Sequence, residues 1–565
     1  MTTTAPHEDV YAKDLGKGEP VYDAWVIEDD ASGAHIAEDD LMESEKKGFL
    51  TPAGRPSSNE LWRFRRRGCQ DCWAAVFFIG LLAVTLVWGA LEVQRLTLNE
   101  DQLSAIADNL GLDRIDFGAY YRRSLETTTA APAEKAKGKE KDSTASPAPP
   151  VGDDGMPIIK SFVALRAGLE LLGPLTGASE LFSLRVFLWT GVALGGVFLG
   201  LALLETIPRG LITAECYVQT ILFTFASGSF FTAGQLVAAL VMLLLATLPL
   251  VWLYLVRDRI PFAVAMLTTT ARILRRHKGL LIIGLLTSFV VVSYLMLSLL
   301  LTLPPLLRGL AGTPSDSDST LLLLLLFAFF WFQQVMSNVT HVTISGVVAT
   351  WYFAGEARLP PAPIRSSLGR SLSSSFGSIC FGSLLVSIIR FFRFLVGASR
   401  SDDNDGLLTC VLDCILGCIE GIIMYFNEYA FVHVAIYGCS YVDGARRTWA
   451  LAQQCFFAAT FNDCLAGQAA DMLNLLIAGG IGFVAAVLVW SIPFGVLLFC
   501  VSLFVNLSAF KAIQSSVTTI FVCYAELPEG LLISFPALHE ELMRADGGQT
   551  AARQRDGYIA VSSGH

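Results

Sequence analysis

The dominant pattern in this sequence is a series of long apolar segments separated by short polar or charged ones. The segments run from Trp73 to Tyr524, and most are 18 to 24 residues long. A helix needs about 20 apolar residues to cross the hydrocarbon core of a bilayer, and only helices or closed barrels satisfy their backbone hydrogen bonds there. Because the segments lack the alternation typical of barrel strands, they predict an all-α, polytopic transmembrane helix bundle.

Ten segments fit this description, and their overall composition agrees with a membrane protein. The chain is 53% hydrophobic, and its mean hydropathy is +0.55. The sixth, eighth and tenth segments are longer than a perpendicular crossing needs, so we expect them to tilt, break or extend beyond the headgroups. The predicted spans are Trp73–Leu91, Leu184–Thr206, Ala214–Phe231, Gln235–Val256, Leu280–Leu301, Leu321–Phe353, Phe376–Leu395, Leu407–Tyr437, Leu473–Trp490 and Phe494–Tyr524.

The distribution of basic residues predicts the orientation of the bundle. Four arginines between Arg63 and Arg67 precede the first span, and cytoplasmic flanks of membrane helices are enriched in Lys and Arg. If the spans alternate, the other basic connections fall on the same side, whereas the loops around Asp316 and Asp403 on the opposite side are acidic. Ten spans with both termini in the cytosol follow. The other basic residues are Arg257, Arg259, Arg272, Arg275, Arg276, Lys278, Arg358, Arg365, Arg370, Arg446 and Arg447.

The predicted bundle divides the chain into a membrane domain and two tails. Residues 1–62 form an acidic cytosolic tail, with 14 Asp and Glu against 5 Lys and Arg in the first 60 residues, and such a composition is typical of disorder. Residues 63–526 form the ten-helix domain, which includes an outer loop at 92–183. Within this loop, 127–150 is rich in Ala, Pro, Lys and Thr and should be a flexible linker. Residues 527–565 form the C-terminal cytosolic tail.

Several functional classes lack their sequence signals in this chain. There is no G-x-x-x-x-G-K-S/T phosphate-binding loop, no potassium-selectivity sequence or arginine ladder, and no H-E-x-x-H or G-x-S-x-G motif. The twelve cysteines do not show a paired metal-ligand spacing. We therefore expect neither an enzyme nor a cofactor or metal site, and no nucleic-acid partner. Secondary transport of a small molecule is the remaining class.

The sixth predicted span has the most informative interior. Helical periodicity collects its polar residues on one arc of roughly 180°, and the opposite arc carries valines such as Val335 and Val339. Polar groups in lipid are costly unless they face other helices or water. Two interpretations remain open, interhelical hydrogen bonding and the wall of a substrate path. The second predicts that the path is lined by Trp331, Gln334, Asn338 and His341.

The eighth span adds carboxylates, and both spans carry aromatic residues. Asp413, Glu420 and Asn427 are seven residues apart and form one stripe. Carboxylates inside a membrane usually meet a cation, a proton or a basic partner, and Arg390 and Arg393 on the seventh span are the candidate partners. Aromatic faces attract quaternary ammonium groups, although aromatics near span ends are usually interfacial anchors. The aromatic residues are Trp331, Trp351, Tyr352, Tyr425 and Tyr429.

Several ordered motifs in this chain resemble the choline transporter-like family. They are Arg67-x-Cys69-x-Asp71, Trp331…Asn338-x-x-His341-x-x-x-x-Gly346-x-x-x-x-Trp351-Tyr352-Phe353, Pro360…Ser371, Phe426-Asn427-x-x-Ala430-x-x-x-x-Ala435-Ile436-x-Gly438, and Thr519 to Tyr524. The resemblance covers residues 63–530. It implies a ten-helix carrier of choline, and also of ethanolamine, that works without sodium and exchanges protons.

Two functions therefore compete at this point. The first is transport of choline or a related organic cation across the plasma membrane, with an internal membrane as the alternative location. The substrate path would then include Trp331, Gln334, Asn338, His341, Trp351, Tyr352, Glu420 and Asn427. The second is a membrane scaffold or signalling protein that keeps the fold without substantial transport. Apart from the small-molecule substrate and membrane lipid, the sequence indicates no partner, and it leaves the oligomeric state open.

The charge distribution gives a direct test of topology. We expect epitope tags at residues 1 and 565 to be inaccessible to antibody in intact cells and accessible after permeabilisation, because positively charged flanks stay in the cytosol. A tag inserted in the outer loop at 92–183 is the control and should be labelled in intact cells. Labelling of either terminus before permeabilisation would exclude the ten-span arrangement.

Overall fold

The computed structural model describes residues 68–96, 180–355, 359–398, 406–528, 530–531 and 535–545, and these residues form helices connected by short turns. No strand occurs among them, so the predicted all-α fold is confirmed. In chain order the helices are α1 (Cys72–Arg95), α2 (Glu180–Thr206), α3 (Pro208–Thr232), α4 (Leu236–Val256), α5 (Ile260–Arg276), α6 (Gly279–Leu310), α7 (Asp318–Ala354), α8 (Pro363–Ser371), α9 (Phe376–Ala398), α10 (Gly406–Tyr437), α11 (Tyr441–Val489), α12 (Ile492–Glu526) and α13 (Pro536–Ala545).

Within the described residues, nine helices are long and apolar enough to cross a membrane. They correspond to nine of the ten predicted spans and confirm a polytopic membrane protein. The predicted third span also forms a helix, α3, which packs against α4 and α11. It is not one of the nine, because Glu215 and Gln219 lower its hydropathy. These two side chains satisfy each other, since Gln219 Nε2 donates to Glu215 Oε1 at 2.7 Å.

Helix α11 begins much earlier than the sequence predicted. The predicted ninth span was Leu473–Trp490, whereas α11 starts at Tyr441 and continues for 49 residues. Its N-terminus is capped by Ser440, whose hydroxyl accepts a hydrogen bond from the Asp443 backbone N–H at 3.2 Å. The prediction was wrong because charged residues in the first half of α11 lower its hydropathy without opposing helix formation.

Helix α7 occupies the centre of the bundle. It contacts α6, α9, α10 and α12, and it also contacts α1 and α8. From Gln334 to Tyr352 nearly every side chain is buried. The apolar arc is buried along with the polar one, because Val335 and Val339 are 0% and 4% exposed. The polar residues of α7 therefore face neighbouring helices, whose side chains determine what they can do.

The residues just before α1 join three helices at one end of the bundle. Asp71 adopts a left-handed backbone conformation with φ 52°. Its Oδ2 accepts hydrogen bonds from Ser378 Oγ at 2.8 Å and from the Tyr441 backbone N–H at 2.9 Å. The backbone there runs so close to α9 that a Cβ added to Gly377 would lie 2.2 Å from the Gln70 carbonyl oxygen. One short segment thus fixes α1 against α9 and α11.

This close approach predicts that Gly377→Ala destabilises the protein. The added methyl group would overlap backbone atoms that belong to a hydrogen-bonded junction, and overpacking of this kind typically costs about 1–3 kcal/mol. We expect a lower midpoint of thermal denaturation for the detergent-solubilised protein. Gly397→Ala is the matched control, because Gly397 lies on the same helix with no atom within 4 Å of its added Cβ. Equal midpoints for the two variants would contradict the contact.

Candidate functional site

An arginine-carboxylate network joins α7, α9 and α10 around the predicted residues Gln334 and Glu420. Arg390 on α9 donates from Nε to Glu420 Oε1 at 2.6 Å. Its Nη1 donates to Gln334 Oε1 at 2.9 Å and to Gln333 Oε1 at 3.0 Å. Arg393 donates to Glu420 Oε2 at 3.0 Å. Glu420 is thus paired with two arginines, as its position opposite Arg390 and Arg393 suggested.

Trp331 lies in an aromatic cluster between α7 and α1. Its side chain is fully buried, and its Nε1–H donates to the Cys380 carbonyl oxygen at 3.1 Å. The ring centroids of Phe77, Phe78 and Phe327 lie 5.4, 5.1 and 6.0 Å from its own. These neighbours already contact the indole, so the structure gives Trp331 a packing role.

The two predicted asparagines converge on adjacent residues of α9. Asn338 on α7 donates to Ser383 Oγ at 2.9 Å, and Asn427 on α10 donates to the Gly382 carbonyl oxygen at 3.0 Å. The Asn427 oxygen also accepts a hydrogen bond from the Tyr441 hydroxyl. Both amides thereby hold α7 and α10 against the same turn of α9.

His341 connects α7 to α10 and α12. Its Nε2 lies 2.8 Å from the Glu428 carbonyl oxygen, and its Nδ1 lies 2.9 Å from Ser515 Oγ. Because a carbonyl oxygen can only accept, Nε2 carries the proton in this contact. The neutral imidazole then accepts from Ser515 through Nδ1. His341 therefore contacts the backbone of a residue whose side chain, Glu428, carries a carboxylate.

Trp351 and Tyr352 lie at the opposite end of α7 from the arginine network. They are 20 and 21 residues beyond Trp331, which corresponds to about 30 Å along the helix. Trp351 stacks on Phe535 with ring centroids 4.2 Å apart, and the Tyr352 hydroxyl donates to the Leu527 carbonyl oxygen at 2.9 Å. They contact the segment that follows α12 and do not share a site with Trp331.

Two further carboxylates lie deeper in the bundle and were not among the predicted site residues. Glu428 follows Asn427 on α10, and Asp463 lies on α11. Asp463 accepts hydrogen bonds from the hydroxyls of Tyr429 and Thr518, the latter at 3.4 Å. Neither carboxylate has a Lys, Arg or His nitrogen within 4.0 Å in the part of the chain that the structure describes. They differ in this respect from Glu420.

Tyr429, which donates to Asp463, belongs to a group of aromatic rings. The rings of Tyr425 and Tyr429 lie 5.0 Å apart, and Tyr429 lies 6.4 Å from Phe521 on α12. A small cavity of about 10 Å³ adjoins Tyr425 and Tyr429 and is also lined by Thr448 of α11. Tyr425, Tyr429, Asp463 and Phe521 are called the aromatic-carboxylate cluster below. It combines a carboxyl group on α11 with aromatic rings on α10 and α12.

Lys511 on α12 is a further charged residue of the membrane domain. Its Nζ donates to Ser337 Oγ on α7. The ammonium group interacts electrostatically with the Glu428 carboxylate, although no ion-pair contact within 4.0 Å forms between them. Lys511 lies near the midpoint of a span of 35 residues, where a charged side chain is costly unless it has a role.

The sequence contains signals for two of these missed residues. Lys511 is the one charged residue between Ile492 and Ala525, so its position inside a predicted span marks it. Glu428 directly follows the predicted site residue Asn427. Asp463 has no such signal, because the predicted ninth span begins ten residues after it.

The pairing of Glu420 predicts a structural cost when its charge is removed. Glu420→Gln would leave the half-buried Arg390 guanidinium without its closest carboxylate, and losing one partner of a buried pair typically costs about 3–5 kcal/mol. We expect a clear fall in the thermal midpoint, and recovery in Arg390→Met/Glu420→Met. Asp413→Asn is the control, because Asp413 is 48% exposed and exposed pairs contribute about 0–1 kcal/mol. A Glu420→Gln protein as stable as the wild type would contradict the structural role of the Arg390–Glu420 pair.

Comparisons with known proteins agree with this architecture. The sequence profile of plasma-membrane choline transporters matches residues 240–529, which include α5 to α12 and every predicted site residue. Protein PNS1 of Yarrowia lipolytica is 30% identical over 361 residues, which are 58% of this chain and 63% of that protein. Protein PNS1 of Eremothecium gossypii is 28% identical over 63% of this chain and 70% of its own length.

A third relative comes from an organism outside the fungi. A CTL-like protein of Dictyostelium discoideum is 28% identical over 55% of this chain and 57% of its own length. The matches thus span between 57 and 70% of these three relatives. Because the family profile covers 290 of 565 residues, this multi-pass integral membrane protein belongs to the choline transporter-like family.

Proposed function

We propose that this protein transports choline or a related small organic cation, such as ethanolamine, across the plasma membrane. The observation that carries the proposal is the pair of interior carboxylates, Glu428 and Asp463, without an ion pair among the described residues. An uncompensated charge inside a bundle is costly and usually marks an ion or substrate pathway. An organic cation supplies the missing positive charge.

The aromatic-carboxylate cluster suits the chemistry of a quaternary ammonium group. Such a group has no N–H donor, so its recognition relies on charge and on π-faces. Tyr425, Tyr429 and Phe521 supply the rings and Asp463 the charge. A cation on an aromatic face gains about 0.5–2 kcal/mol, with the larger value where water is excluded. A primary ammonium would add hydrogen bonds to the same oxygens.

Interior carboxylates also support the finer part of the proposal. A carboxyl group without a basic partner can hold either the substrate cation or a proton, so one can replace the other during a transport cycle. We therefore propose sodium-independent transport with proton exchange. The residues of the arginine network hold α7, α9 and α10 together, whereas Glu428 and Asp463 bind the solute.

Uptake by reconstituted protein tests this function. Liposomes that contain the protein alone should take up labelled choline with saturation, equally in sodium and potassium buffers, and should discriminate against the uncharged isostere 3,3-dimethylbutanol. We expect Asp463→Asn to reduce uptake at least tenfold per folded molecule, because it removes the charge that faces the cation. Asp471→Asn is the matched control, since Asp471 lies two turns further along α11 on an exposed position.

The competing function predicts a different result. A scaffold that retains the fold would show no saturable uptake of choline or ethanolamine by liposomes that contain correctly folded protein. If Asp463→Asn and Asp471→Asn lose uptake equally, the assignment of Asp463 to the binding site is wrong. The proposal that the protein transports choline would still stand.

A further inference from the structure

A basic cavity lies at one end of the bundle, apart from the residues that the proposed function uses. Its volume is about 880 Å³, and its wall is formed by α8, by the turns on both sides of α8 and by Cys69, which precedes α1. Arg365 and Arg370 belong to the ten residues that line it, and none of these ten is acidic. Small-molecule sites typically have volumes of about 300–1,000 Å³. The cavity therefore has room for a small molecule, and its charge favours an anion.

Helix α8 contacts α7 through one face and lines the cavity with another. Ser367 Oγ donates to the Thr343 carbonyl oxygen at 2.8 Å, and Thr343 Oγ1 donates to Ser371 Oγ at 3.1 Å. Ser367 and Ser371 are one turn apart, and both are buried. Arg365 lies on the opposite side of α8, because successive residues of a helix are about 100° apart. The hydrogen bonds to α7 thus hold α8 in place and leave Arg365 on the face away from α7.

The two arginines of the cavity differ in their surroundings. The Arg370 guanidinium lies against α7, since a Cβ added to Gly346 would lie 3.2 Å from Arg370 Nη2. Arg365 is exposed, and among the described residues its side chain forms no ion pair or hydrogen bond. The hydroxyl of the neighbouring Ser366 also has no hydrogen-bond partner within the described part of the chain. Both side chains therefore keep their donors available, and a guanidinium can pair with a phosphate through two parallel hydrogen bonds.

Two observations place the cavity at the level of the lipid head groups. Trp73, four residues after Cys69, is 55% exposed on the first turn of α1, and tryptophans at span ends are typical of the membrane–water interface. The turn between α5 and α6, which carries Lys278, lies beside α8, because a Cβ added to Gly279 would lie 2.7 Å from Ile364 Cδ1. The charge distribution is expected to place this end in the cytosol. The adjacent leaflet of the membrane contains anionic phospholipids.

We infer that the cavity binds a phosphate monoester, and that the head group of a phosphorylated lipid supplies it. A phosphate monoester carries a charge of about −1.5 to −2 at neutral pH, which matches the two arginines. Arg365 pairs with two of its oxygens, Ser366 donates to a third, and Arg370 adds positive charge from its position against α7. A basic pocket between helices on the cytosolic side suits such head groups. The cavity is separate from Glu428 and Asp463, so the inference does not depend on which solute is transported.

Thermal denaturation of the full-length protein in detergent, measured with three probes, tests the site. Dioctanoyl phosphatidylinositol 4-phosphate should raise the midpoint with saturation. Dioctanoyl phosphatidylinositol has the same lipid structure without the monoester, and we expect it to need a concentration at least about tenfold higher for the same rise. Equal effects of the two lipids overturn the inference. The free head group, inositol 1,4-bisphosphate, is the third probe. If it stabilises the protein at the same concentration as the phosphorylated lipid, the phosphate site is supported and the lipid source is wrong.

The variant Arg365→Gln tests whether the lipid binds in this cavity. Because the substitution changes an exposed side chain, we expect the midpoint without probe to stay unchanged. The half-saturating concentration of the phosphorylated lipid should rise about tenfold, since the bidentate pair with the phosphate is lost. Arg446→Gln is the matched control, because Arg446 is 78% exposed near the start of α11, at the same end of the bundle, and does not line the cavity. An unchanged half-saturating concentration in Arg365→Gln overturns the inference, as does an equal increase in both variants.

Discussion

The absence of water inside a bilayer is the constraint on which this structure depends. A polar group in the hydrocarbon core has no solvent partner, so it must find one in the protein. Helix α7 meets this requirement along its length. Asn338 is paired with Ser383, Thr343 with Ser371, and Ser345 with Thr519. These contacts determine which helices surround α7 and in which register.

The same constraint distinguishes the carboxylates of Glu420, Asp463 and Glu428. Glu420 has two arginines within hydrogen-bond distance, and this network also satisfies Gln333 and Gln334. Asp463 has hydroxyl donors, which satisfy oxygens but do not neutralise a charge. Glu428 has Lys511 as an electrostatic neighbour but forms no ion-pair contact with it within 4.0 Å. A carboxylate that is fully paired with arginines holds helices together. A carboxylate without such a pair can still gain free energy by binding a cation.

The fold could be predicted from the sequence to a much greater extent than the site. Span length and hydropathy depend on local composition, so nine predicted spans coincide with long apolar helices. Helical periodicity divides span six into a polar and an apolar arc, but it does not tell which neighbouring helix each arc meets. The partners of Asn338, Asn427 and His341 lie 14 to 174 residues away, and only the packed structure brings them together.

The limits of the hydropathy signal explain why Asp463 was missed. The first half of α11 contains enough charged residues to look like a connecting loop, yet it continues a membrane helix without interruption. A charged residue inside a membrane helix lowers the mean hydropathy of its segment, so a stretch with several charged residues is not recognised as part of a span. Glu428 escapes this effect, because the apolar residues around it on α10 keep the predicted eighth span recognisable.

The contacts of α7 with α9 and α10 and its contacts with α12 differ in the free energy needed to break them. Toward α9 and α10 the contacts include hydrogen bonds from the Arg390 guanidinium to Gln333 and Gln334, and a hydrogen bond to a charged group contributes about 1.5–3 kcal/mol. Toward α12 the contacts are one charged hydrogen bond, from Lys511 to Ser337, and neutral hydrogen bonds such as His341 with Ser515 and Ser345 with Thr519. Each neutral hydrogen bond contributes about 0.5–1.5 kcal/mol net and can be replaced by water. Asp463 contacts α12 through Thr518. The aromatic-carboxylate cluster therefore borders the interface between α7 and α12, whose neutral hydrogen bonds require less free energy to break than those of Arg390.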